Sequence, residues 1–206
     1  MLRCDPAQGV EGRTVTRRTV LIIPASAYVL PVIRRAQALG LAVVATDRNP
    51  GAPGLHAADH AEIVDIFDME RMLAVARRYD VEAVVTEQTD AAVPTAAWVA
   101  EQLGLPSIGY EVACTATNKW RMREACRHAG IPLPVYRKVS SAPEAVDAAR
   151  EIGLPVVLKP VDAQASRGVG RAVRGPDSGA ARPVTPPRLT GRQERCTLPV
   201  YIKEVG

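Results

Sequence analysis

Two lysines, Lys119 and Lys159, stand where their surroundings do not call for a lysine. Lys119 follows Thr117-Asn118, either of which can cap a helix, and so falls in the first helical turn. The helix dipole disfavours a cation at that end, which fits a lysine that holds an anion. Lys159 closes the apolar run "LPVVLK" at 154–159, which reads as a buried strand. Directly beyond it comes Asp162–Gly170, a loop of small residues with Ser166, Arg167, Gly168 and Gly170. Backbone N–H groups in such loops form anion-binding concavities. A cation on a helix, a cation on a strand and a glycine-rich loop are together the parts of a nucleotide phosphate site. Lys159 alone fits an ordinary strand-edge lysine as well. The combination argues for chemistry.

The elements that position these groups can be read from either side of them. After Lys119 a helix runs to Gly130, with Met122, Ala125, Cys126 and Ala129 as its apolar face. "IPLPVYRKV" is extended, with prolines at its entry. Ser141-Ala-Pro-Glu144 is a capping-box pattern with proline inside the first turn, and that helix stops at Gly153.

Upstream, a strand–helix rhythm begins at Thr19. Strands are predicted at 19–25, 41–47, 61–66 and 81–87, with a short fifth at 105–108. Helices are predicted at Tyr28–Leu39, Met69–Tyr79 and Ala91–Leu103, and Gly40 and Gly104 sit where helices end. Apolar strands separated by helices imply an open parallel α/β sheet covered on both faces, over 19–112. Ligands of such sheets bind at the carboxyl ends of the strands.

Several other chemistries are disfavoured. The turn after the first strand, Pro24-Ala25-Ser26-Ala27, has no glycine, so a dinucleotide pyrophosphate has no close approach there. Asp47 ends the second strand, where a loop anchor is the plainer reading. His56 and His60 lie in the Gly/Pro loop "NPGAPGLHAADH", not on a helix, so their spacing does not assure a metal pair. Glu87 and Asp90 end the fourth strand and either touch a polar ligand or cap the next helix.

Cys4, Cys114, Cys126 and Cys196 form no C-x-x-C pair, and a reducing cytoplasm is expected. Net charge is +4 and aromatics make up 4%. The basic excess sits at the ends: four Arg against Asp5 and Glu11 in 1–18, and five Arg with Lys203 against Asp177, Glu194 and Glu204 in 174–206. The middle is slightly acidic, so no nucleic-acid partner is expected. The twin-arginine, apolar start at 16–38 resembles a targeting signal, but Pro24 and Pro31 interrupt it and it is too short to span a bilayer. No membrane partner is expected.

Asn118-Lys119, "AGIPLP" (129–134), "IGLPVVLKP" (152–160) and "SRGVGRAV" (166–173) together closely resemble the start of an ATP-grasp domain. "ATDRNPGAPGLHAADHAEIVDIFD" and "VVTEQTDAAVPTAAWVAEQLGLP" resemble the domain that precedes it in carboxylate–amine ligases and related carboxylases. The resemblance implies a ligase that uses ATP to turn a small carboxylate into an acyl phosphate, which an amine or similar nucleophile then attacks. It implies that Lys119 meets ATP phosphate, that Lys159 reaches the α-phosphate and the adenine edge, and that Ser166, Arg167, Gly168 and Gly170 close over the outer phosphates. It also implies Mg²⁺, bound by residues of a second half.

The expected organisation is a leader (1–18), a pre-ATP-grasp domain (19–112), the first part of an ATP-grasp domain (113–173) and a poorly ordered tail (174–206). Five Pro and four Gly fall in that tail, where the family has a helix. Only "LPVYIKEVG" resembles the adenine-hinge strand, with Glu204 as its candidate acid and Lys203 where another acid would be expected. The expectation is therefore a truncated or frameshifted form of a longer ligase, inactive by itself. The alternative is a non-catalytic α/β module that binds a nucleotide or metabolite.

Overall fold

The computed structural model describes residues 17–153, 156–159, 161, 170–172 and 198–201. Four parallel strands come first: β1 (Thr19–Ile23), β2 (Ala42–Asp47), β3 (His60–Ile63) and β4 (Ala83–Thr86). Their order is β3-β2-β1-β4, so the chain reverses direction of travel across the sheet at β1. Each side chain alternates faces along a strand. Leu21, Ile23 and Val44 therefore join Met72, Leu73, Ala76, Ala96 and Val99 of α3 (Met69–Arg78) and α4 (Val93–Gln102) in one core. Val20, Ile22, Val43 and Ala45 face the other way, onto Ile33 and Ala36 of α1 (Leu30–Ala38) and Leu55 of α2 (Pro53–Ala57). The expected covered parallel sheet is present.

Three sequence expectations need correction here. The predicted strand at 105–108 is not one; that segment is irregular. The Gly/Pro loop contains α2, because Pro53 suits a first helical turn, where its missing N–H costs nothing. A helix not anticipated, α5 (Tyr110–Thr117), joins the first sheet to α6 (Lys119–His128).

The second sheet has the order β5-β8-β6-β7, from β5 (Tyr136–Val139), β6 (Val156–Leu158), β7 (Gly170–Ala172) and β8 (Leu198–Tyr201). Its pairs are antiparallel. α7 (Ala142–Ile152) covers one face, through Ala145, Ala148 and Ala149 against Val139, Val156 and Leu158. The N-cap half of the capping box forms, Ser141 Oγ accepting from the Glu144 N–H, whereas the Glu144 carboxylate accepts from the Ser140 N–H, one residue before the cap. Residues 198–201, inside the stretch expected to be poorly ordered, pair with both β5 and β6.

Candidate functional site

One backbone hydrogen bond brings the two lysines' elements together. The Lys119 N–H donates to the Val161 carbonyl at 3.0 Å. The N-terminus of α6 therefore sits against the chain just beyond β6, where Lys159 leaves the strand half-buried. The sequence places the two lysines far apart, and the fold places their backbones at one end of the second sheet. Asn118 caps α6 as expected, its side-chain oxygen accepting from the Arg121 N–H at 3.0 Å. Leu158 pairs with Gly170, so the two flanks of the glycine-rich loop run side by side at this same end. Gly170 itself opens β7. Ser166, Arg167, Gly168 and Glu204 lie outside the described residues.

α6 differs from its sequence reading. None of its residues is buried; Met122 is 38% exposed, Ala125 and Ala129 are exposed, and Cys126 is half-buried. The expected apolar face does not enter a core. Aromatic and polar contacts to β5 and α5 hold the helix instead. Trp120 meets Tyr136 edge-on at 5.6 Å, and Arg121 pairs with Glu111 at 3.3 Å. The Tyr136 hydroxyl donates to Glu124 at 2.7 Å. Arg127 first, and then that hydroxyl, lower the pKa of Glu124 below the usual carboxylate value. Burial, with the Glu124 hydrogen bond, raises that of Tyr136.

A second polar cluster lies at the carboxyl edge of the first sheet. Glu87 follows β4. One of its oxygens accepts from Gln88 at 3.3 Å, and the other is buried with no protein partner. Gln88 has φ +62°, a left-handed conformation that side chains rarely adopt. The hydroxyls of Thr46, next to last in β2, and of Thr86, last in β4, are also buried without partners, and Thr46 is 0% exposed. Buried polar atoms are nearly always satisfied, so these mark where a polar ligand or water would belong. Asp90 occupies neither N-cap position; those are Thr89 and Ala92. Glu87 caps neither helix. No pattern in the sequence announces the two threonines or Gln88.

In the glycine-free turn one amide is already committed. The Ala25 N–H already donates to the Thr46 carbonyl, and the Ala25 carbonyl accepts from Gly54. That amide is not available to a phosphate. Asp47 anchors its own loop through the Asn49 N–H. His56 lies on α2, while His60 lies on β3 and stacks on Tyr79 at 4.8 Å. Among the described residues, no group of three His, Cys, Asp or Glu converges to hold a metal. The Mg²⁺ that the family resemblance implies finds no ligand set among them. Cys114 and Cys126 are free thiols, and no helix among the described residues is long and apolar enough to cross a membrane.

A parallel sheet with unpartnered polar groups at its carboxyl edge is followed by an antiparallel sheet. Residues 33–107 match the family model of the ATP-grasp N-terminal domain. Over those residues the chain carries an ATP-grasp N-terminal domain, and it aligns with the N-terminal part of ATP-grasp relatives. It is 33% identical over 162 residues to a formate-dependent phosphoribosylglycinamide formyltransferase of Prochlorococcus marinus, covering 78% of this chain and 41% of that one. An enzyme of the same name from Methanocaldococcus jannaschii is 30% identical over 148 residues, covering 69% of this chain and 36% of that one. The chain thus spans about two-fifths of the length of these curated relatives. Among solved structures, the N5-carboxyaminoimidazole ribonucleotide synthetase of Thermotoga maritima superposes with a TM-score of 0.62 at 20% identity, over 89% of this chain and 45% of that one. The N5-carboxyaminoimidazole synthetase of Staphylococcus aureus gives 0.65 at 17% identity, over 78% and 42%. At these identities the likeness is one of fold.

Proposed function

We propose that this chain supplies the ATP-binding lysines and the first substrate surface of a cytoplasmic ATP-dependent ligase. The reaction joins a small carboxylate to an amine or similar nucleophile through an acyl phosphate. The observation that carries the reading is the Lys119–Val161 hydrogen bond, which sets the helix bearing one cation against the end of the strand leading to the other. Lys119 and Lys159 neutralise nucleotide phosphates. Ser166, Arg167, Gly168 and Gly170 close over them, and Glu204 serves the adenine side. The Staphylococcus aureus neighbour is complexed with ADP, which supports a nucleotide here. The curated relatives are formate-dependent, which supports a carboxylate of formate size.

The substrate to be joined binds at the carboxyl edge of the first sheet. The buried, unpartnered oxygen of Glu87 accepts a hydrogen bond from it. A carboxylate acceptor suits an amine or hydroxyl donor.

Titration calorimetry with MgATP tests the nucleotide assignment. Binding is expected, and Lys159→Ala should weaken it by about 30- to 100-fold, the worth of a hydrogen bond to a charged group. Equal affinity of the variant and the original protein would remove Lys159 from the site. No binding to either would remove the nucleotide reading.

A further inference from the structure

We propose that Trp120, Tyr136 and Lys138 form a clamp that aims the first turn of α6, and so positions Lys119. The proposal concerns the same site and rests on the nucleotide reading only for its functional consequence.

A helix is normally oriented by the apolar stripe it buries. α6 has no buried residue, so no hydrophobic face fixes its rotation about its own axis. Trp120 and Glu124 are four residues apart and lie one turn above each other on a single face. Tyr136 touches both. Its ring meets the Trp120 indole at 5.6 Å and 73°, and its hydroxyl donates to Glu124 at 2.7 Å. Two contacts one turn apart, made by one rigid side chain, fix rotation and axial position together.

β5 supplies the rest. Tyr136 and Lys138 are two residues apart on a strand and share a face, while Val139 points to the opposite face and is buried under α7. Lys138 Nζ lies 5.6 Å from the Trp120 ring centroid, within cation–π range. Trp120 is thus held by an edge-on ring and by a cation, both on β5. Successive helical residues are separated by a fixed rotation, so fixing Trp120 fixes the direction in which Lys119 leaves the helix. The Lys119 N–H bond to Val161 then locks the same turn to the chain beyond β6.

The test measures amide hydrogen exchange at Lys119 and MgADP affinity in parallel, in the full chain. Trp120→Ala should speed exchange at Lys119 about tenfold, with α4 amides unchanged. It should weaken MgADP by a similar factor, matching the worth of an aromatic pair. Trp120→Phe should restore most of both, and the unchanged α4 amides exclude a global loss of stability. Original exchange and affinity in Trp120→Ala overturn the proposal. If the original protein binds no MgADP but Lys119 exchange still responds to Trp120→Ala, the clamp stands and the nucleotide reading falls. If Trp120→Ala unfolds, seen as lost protection in α4, Tyr136→Phe replaces it. That variant removes only the hydroxyl on Glu124 and must raise exchange at Lys119 measurably; unchanged exchange overturns the clamp.

Discussion

Gly54 has no room for a side chain. A Cβ there would lie 2.7 Å from the Ala25 carbonyl oxygen and 2.9 Å from its Cα, and backbone cannot swing aside as a side chain does. Gly54→Ala should cost about 2–3 kcal/mol, the upper range for overpacking, read as a lower urea midpoint. Asp59 makes a prediction about pH. Burial raises its pKa, but hydrogen bonds from the Val43 N–H, Gln37 and Arg17 outweigh that and leave it lowered. A carboxylate with a lowered folded pKa adds stability above its unfolded value, and loses it as pH falls through the folded one. Asp59→Asn should therefore destabilise by about 1–2 kcal/mol at neutral pH. The gap to the original protein should close below about pH 4 in urea titrations run at several pH values. The sequence shows Asp59 only between two histidines. Its partners Arg17 and Gln37 come from distant stretches, so no local pattern reveals them.

Secondary elements were legible where capping chemistry marks their ends. Asn118 and Ser141 accept the hydrogen bonds expected of N-caps, and Gly40, Gly104, Gly130 and Gly153 follow helices with positive φ. Asn118→Ala should cost about 1 kcal/mol. The loss should be local, with faster amide exchange in the first turn of α6 and little change in α1 or α3. Legibility failed where apolar periodicity and burial part company. The stripe of Met122, Ala125 and Ala129 is real in sequence, yet those residues stay exposed or nearly so, because β5 receives α6 through Trp120 and Glu124 instead. α2 was hidden by the Pro and Gly that usually signal a loop, and α5 by the lack of any strong cap or stripe. At the candidate site, the sequence marks the two lysines because their positions oppose local preference, and the fold adds the backbone contact between their elements. The buried oxygens of Thr46, Thr86 and Glu87 were not legible, since being without a partner is a property of three dimensions.

The parallel character of the first sheet was legible in the whole molecule, because strands apolar on both faces demand helices on both sides. The insertion of β8 between β5 and β6 was not, since pairing across so long a separation leaves no local signature. The two halves also differ in core. The first sheet is sandwiched between two clusters of buried side chains, whereas six buried residues, on one side of the second sheet, make up its described core. Unfolding should follow that difference. With Trp98→Phe leaving Trp120 as the reporter, and Trp120→Phe leaving Trp98, Trp120 emission should change at lower urea than Trp98 emission. Coincident transitions would show a single cooperative unit. The strand order β5-β8-β6-β7 also has a consequence during synthesis. The first sheet is complete once β4 leaves the ribosome. Among the described residues, β5, by contrast, has its neighbour in Leu198–Tyr201, so a nascent chain carries an unpaired strand edge for the time it takes to translate everything between. Edges of that kind recruit other chains. The second half should therefore be the part that needs a chaperone, and ribosome-stalled chains ending near residue 190 should be protease-resistant up to α4 and cleavable beyond it.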